Sequence, residues 1–104
     1  MLRGMGVLVL MESKGDREEL LAAADDLIRR AGRAEGLLVR LVAPTDEGIL
    51  LIHLWDSDEA RERWQANPQH QHALRASGMT VAIKERDVRV LEPHHVEFRG
   101  AKLD

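Results

Sequence analysis

Residues 48–74 read GILLIHLWDSDEARERWQANPQHQHAL, and the order of elements in this stretch decides the fold. The run ILLIHLWD, from Ile49 to Asp56, is apolar and strand-like. Asp56 or Ser57 then caps a helix, with Asp58 and Glu59 in the first turn, where the positive end of the helix dipole favours acids. The helix runs through Ala60 and Trp64 to about Ala66, where Pro68 should stop or kink it. A further helical piece spans His70 to Ala76 and ends near Gly78.

Upstream, Pro44 to Gly48 (PTDEG) is a turn by composition, and LLVRLVA from Leu37 to Ala43 is a strand opened by Gly36. The two strands form a hairpin. Before them, GVLVLMES from Gly6 to Ser13 is another buried strand, broken by Gly15. Asp16 with Glu19 resembles a capping box. Leu20, Leu21, Ala24, Leu27, Ile28 and Ala31 then recur at helical spacing, Arg29 and Arg30 favour the C-terminal end of that helix, and Gly32 closes it. Downstream, Thr80 to Leu91 reads as the last strand, with Val88 and Val90, joined by Val81 and Ile83, facing inward. Pro93 interrupts it, His94 to Phe98 is a short extension, and the tail after Gly100 is loose. The order β-α-β-β-α-β predicts an α+β, ferredoxin-like subunit: a four-stranded antiparallel sheet with both helices on one face.

With 104 residues, the chain is expected to be one domain over 1–104, its core at about 6–98. The absence of cysteine excludes disulfides, thiolate metal sites and cysteine nucleophiles, and fits a reducing cytoplasm. The 15 basic residues are scattered among 18 acidic ones, which reads as a solvated surface without the basic stripe of a nucleic-acid binder. The apolar run near Gly6 to Met11 is far short of a membrane span, and no signal-peptide pattern follows Arg3. The expectation is a cytoplasmic protein with neither nucleic acid nor membrane as partner.

Both faces of the sheet read as apolar. Leu50, Ile52 and Leu54 alternate with Leu51, His53 and Trp55; Val7, Val9 and Met11 with Leu8 and Leu10; Leu37, Val39 and Leu41 with Leu38 and Val42. The chain's own helices can cover one face. The other would expose a contiguous apolar patch, so a homodimer joined through that face is expected.

The segment Trp55-Asp-Ser-Asp-Glu-Ala60, followed by Trp64, Asn67-Pro68, His70 and His72, resembles the antibiotic biosynthesis monooxygenase family of dimeric α+β barrels. The resemblance runs in the right element order from Gly6 to Phe98. It implies a dimeric barrel and a pocket between sheet and helices in each subunit. Some members of that family oxidise aromatic quinols with molecular oxygen and no metal or flavin; others bind and degrade haem. Trp55 matches the strand-end tryptophan of the family, and Trp64 its helix aromatic. Val9 stands where haem-degrading members have a first-strand asparagine, and Leu51 where quinol-oxidising members have one on the third strand. His70 and His72 fall a residue or two short of the spacing of the haem-binding histidine.

The resemblance therefore implies a cofactor-independent monooxygenase acting on an aromatic, quinol-like molecule, with haem as the alternative cofactor and a non-enzymatic ligand-binding dimer as the alternative role. The pocket would be lined by Val9, Leu51, His53, Trp55, Trp64 and His72. Two roles are open to His53, which shares a strand face with Trp55: a base towards a phenolic proton, or a hydrogen-bonded histidine within the pocket or interface. On an apolar face it should be neutral at pH 7. Trp55 and Trp64 either stack on a flat ligand or pack helix against sheet. No metal site is expected: His70 and His72 diverge by about 200° on a helix, and His94 and His95 point apart in extended chain. Arg75 reads as solvated, and Ser57 as a helix cap.

Overall fold

The computed structural model describes residues 6–97. Four strands, β1 (Val7–Lys14), β2 (Leu37–Pro44), β3 (Gly48–Trp55) and β4 (Glu85–Leu91), form one sheet in the order β2-β3-β1-β4. All neighbouring pairs are antiparallel. Helix α1 (Arg17–Ala31) connects β1 to β2. Helices α2 (Asp58–Ala66), α3 (Pro68–Ala76) and the single turn α4 (Met79–Ala82) connect β3 to β4. This is the ferredoxin-like arrangement the residue pattern predicts.

Local chemistry places each boundary. The Asp16 carboxylate accepts from Glu19 N–H at 2.9 Å and starts α1, which ends at Gly32 with φ +74°. Ser57 Oγ accepts from Ala60 N–H at 3.1 Å and starts α2. Pro68 does more than stop a helix: it is the first residue of α3, where its missing N–H costs nothing. Asn67 works both ways across this joint. Its N–H donates to the Trp64 carbonyl at 3.1 Å, while its Oδ1 accepts from Gln69 N–H at 2.8 Å and caps α3.

The helices lie over β3 and β2. Their side of the sheet carries Val9, Ser13, Ile49, Leu51 and Trp55, all buried. Leu20, Ala23 and Ala24 of α1 and Met79 close one half of the core; Ala31, Ala60, Trp64 and Ala73 close the other around Trp55. The opposite face presents Leu8, Leu10, Leu50, Ile52, Leu54, Val39 and Leu41, half-buried or exposed, with Leu41 at 47%. No helix among the described residues is long and apolar enough to cross a membrane.

Three sequence expectations need correction. Thr80 to Leu91 is not one strand: Gly78, with φ +80°, turns the chain into α4, and β4 begins only at Glu85. Val81 is consequently 86% exposed instead of inward, while Ile83 does pack on the core. Val88 and Val90 sit on the helix side of β4, but no helix reaches over them and they are 46% and 48% exposed. The second correction concerns β2. A bulge between Leu37 and Val39 puts Leu37 opposite Trp55 on the helix side, while Val39 and Leu41 turn to the outer face. His94 to Glu97 form no strand, and the remainder of the expected extension at Phe98 and the tail lie outside the described residues.

Gly48 starts β3 against the end of β1, and a Cβ there would stand 2.0 Å from the Ser13 carbonyl oxygen. That contact is with backbone in the centre of the sheet, so no side chain can swing away. Gly48→Ala should destabilise the chain by about 1–3 kcal/mol, as overpacking does, and lower Tm by roughly 5–20 °C at this chain length. Thermal melting followed by circular dichroism checks this, and an unchanged Tm would contradict the close approach.

Candidate functional site

A cavity of about 310 Å³ lies between the helix side of the sheet and the three longer helices. The strand register builds its floor. Val9 pairs with His53 and Met11 with Leu51, and residues directly opposite in an antiparallel pair share a face. Leu51, His53 and Trp55, two residues apart, therefore line the cavity together with Val9 and Met11. Beyond the bulge, Arg40 lies opposite His53 and lines the same space. Leu27, Ile28 and Ala31 of α1 form one wall; Arg61, Trp64 and Gln65 of α2 and His70, Gln71 and Leu74 of α3 form another.

The aromatic rings form a connected series. His53 meets Trp55 edge-on, with centroids 6.0 Å apart and planes at 80°. Trp55 and Trp64 are 6.4 Å apart. Trp64 and His70 lie 4.5 Å apart with planes 33° from parallel. The Asn67 joint makes this last contact possible, because it ends the helix carrying Trp64 and starts the one carrying His70. His70 Nδ1 is buried without a hydrogen-bond partner among the described residues.

Of the expected site residues, Val9, Leu51, His53, Trp55 and Trp64 line this one cavity. His72 does not: it is exposed on the outer side of α3, and His70 takes the position beside Trp64. Arg40, Arg61, Arg86, Met11, Gln65 and Gln71 are lining residues that the sequence reading left out. Arg40 carried a signal, as the only charge in the apolar run LLVRLVA; the others had none.

The charges are one-sided. The ionisable lining residues are Arg40, Arg61, Arg86, His53 and His70, with no aspartate or glutamate among them. Burial, reinforced by the Arg40 guanidinium and then by His70, pushes the His53 imidazolium down to about 4. Burial and Arg40 lower His70 as well. His53 is therefore neutral at pH 7, with one ring nitrogen able to accept a proton. Arg61 is paired with Asp58 at 2.8 Å. No group of three His, Asp or Glu side chains among the described residues is placed to hold a metal ion. The cavity can thus hold a flat, largely apolar molecule against indole and imidazole rings, with a proton acceptor and cations at its edge.

Solved structures share this fold. SnoaB, a cofactor-independent oxygenase from Streptomyces nogalater, superposes with a TM-score of 0.61 at 16% identity, covering 88% of this chain and 94% of that one. Rv0793 from Mycobacterium tuberculosis gives 0.70 at 22% identity, covering 88% and 97%. A conserved protein from Methanosarcina mazei Go1 gives 0.69 at 13% identity, covering 86% and 94%. At these identities the likeness establishes the fold alone. No curated protein sequence matches the chain. The model of the family described as antibiotic biosynthesis monooxygenase matches residues 8–76, the stretch that runs from β1 through the Trp55 and Trp64 segment to the end of α3, and the chain belongs to that family.

Proposed function

We propose that the chain is a monooxygenase that oxidises an aromatic, quinol-like molecule with molecular oxygen and without a metal or flavin. The observation that carries this is the neutral His53 imidazole, set in the aromatic cavity beside Trp55. Family membership and the oxygenase activity stated for SnoaB support the reaction class. The substrate ring lies against Trp55 and Trp64, with Val9 and Leu51 as apolar floor. His53 accepts the phenolic proton, and the resulting electron-rich anion reacts with oxygen. One oxygen atom enters the ring carbon, which loses its hydrogen. The other leaves as water, so a phenol and oxygen give a quinone and water.

A histidine held near 4 is a weak base. It can take a proton only from an activated phenol, whose anion the ring itself stabilises, because a base is most effective with a pKa near the working pH. Its sign of pH dependence follows. The group must be unprotonated to act, so kcat/KM stays level from pH 7 through 6.5, where an ordinary histidine titrates, and falls only as pH approaches about 4. His53→Ala should lower turnover of a hydroquinone by about 10²-fold, as loss of a general base does, and change ring affinity less. Oxygen-electrode rates set beside calorimetric affinities decide this: equal turnover removes His53 from the mechanism, and a fall in rate centred near pH 6.5 contradicts its depressed protonation.

Haem is the less favoured occupant. The ring of His70, the histidine that follows Trp64 on the next helix, lies against the indole with Nδ1 buried, and His53 sits on the apolar floor beside Trp55. Added haem should give no sharp Soret shift and no oxygen-dependent bleaching with a reductant. Either signal would reverse the preference.

The outer sheet face supports a homodimer. Leu8, Leu10, Leu41, Leu50, Ile52 and Leu54 make a contiguous apolar surface that a second copy would cover by two-fold symmetry. The cysteine-free composition fits a cytoplasmic location. Sedimentation equilibrium at micromolar concentration should return twice the chain mass, and Ile52→Glu should return a folded single chain. A monomeric wild type with an intact sheet would sink the proposal.

A further inference from the structure

Arg40 differs from the other cations of the cavity. Arg61 is held by Asp58, and Arg86 lies on the exposed strand β4. Arg40 is half-buried, faces the cavity opposite His53, and has neither a hydrogen bond nor an ion pair with any described residue. The groups whose charge it feels are His53 and His70, which would repel it if protonated. A guanidinium partly withdrawn from water with no counter-charge carries a desolvation cost, and its planar fork of five donors is paired with no described side chain. No carboxylate of the cavity wall can take them, because none lines it. A second copy seated on the outer face of the sheet would meet the opposite side of β2. Among the described residues no counter-charge reaches Arg40, and its side chain faces the cavity.

We propose that the cavity takes an aromatic carboxylate, its ring against Trp55 and Trp64 and its carboxylate on the Arg40 guanidinium. This rests on the reading that an aromatic molecule occupies the cavity, and it specifies the class. The planar fork matches a carboxylate with two parallel hydrogen bonds, which a phenolic hydroxyl cannot offer. Such an anion would also offset the charge that opposes a proton on His53, so the group that recognises the ligand favours the base that acts on it.

The test uses two probes that share a ring system, 2-naphthoate and 2-naphthol, titrated calorimetrically into the full chain at pH 7. The two tryptophans both line the cavity, so their indole N–H resonances report where the ring sits. The carboxylate should bind about tenfold or more tightly than the naphthol, as expected when charged hydrogen bonds are made in a half-buried site, and both indole resonances should move. Arg40→Gln should bring 2-naphthoate to the level of 2-naphthol while the naphthol changes little. Arg40→Lys, which keeps the charge but not the fork, should retain part of the preference. Equal affinities in the wild type, a preference that survives Arg40→Gln, or no binding of either probe overturns the inference. The readout needs no turnover. A chain that prefers 2-naphthoate through Arg40 yet oxidises no hydroquinone keeps this inference and loses the oxygenase reading; one that oxidises hydroquinones with no carboxylate preference does the reverse.

Discussion

The pairing of β1 with β3 is the constraint on which the rest of the site depends. It runs from Val7 opposite Trp55 to Lys14 opposite Gly48 without interruption. At one end Gly48 lets the two backbones approach as no side chain could, and at the other Trp55 is packed to 1% exposure. Because successive residues alternate in face, this single register decides that Val9, Met11, Leu51, His53 and Trp55 all meet the helices. A slip of one residue in either strand would turn that strand's set to the outer face. The positions of the cavity floor are therefore fixed by the centre of the sheet, where substitution is least tolerated, and not by a loop.

Much of this was legible because it follows from periodicity and capping. The alternation in GVLVLMES and ILLIHLWD, the Asp16 and Ser57 caps and the spacing of apolar residues in α1 are local signals, and they lead to the element order; the family resemblance, with His53 placed on the face of Trp55, leads to five lining residues. What failed depended on single residues that change the count. His72 came with the family resemblance, and the expected stop or kink at Pro68 does not by itself tell which histidine turns towards Trp64. The break at Asn67-Pro68 restarts the helix and puts His70 against the indole instead. Gly78 likewise converted the start of an expected strand into a helical turn, because its left-handed backbone redirects the chain before β4 begins. The convergence of Arg40, Arg61 and Arg86 was illegible for another reason: they come from three separate elements and share no local pattern.

The chemistry of the cavity is a balance between apolar walls and unneutralised positive charge. The indoles and aliphatic side chains exclude water, which keeps His53 neutral and strengthens any field from Arg40. A fold shared by proteins of such low identity says little about chemistry by itself, which depends on these side chains.

The bulge in β2 has a consequence for how such cavities diverge. With an even ladder continuing from Leu37 opposite Trp55, Val39 would stand opposite His53 and Arg40 would project into the outer leucine-rich face. The single extra residue reverses both. Closing the bulge with Leu38 retained would thus exchange a guanidinium for an isopropyl group in the cavity and, in the same event, place a charge on the outer leucine-rich face, whereas loss of Leu38 itself would leave Arg40 opposite His53. Which side chains line the pocket and which the outer face is tied to this one irregularity in the ladder. Relatives that pair this strand in the even register should differ in both properties at once, even where the strand itself has the same residues.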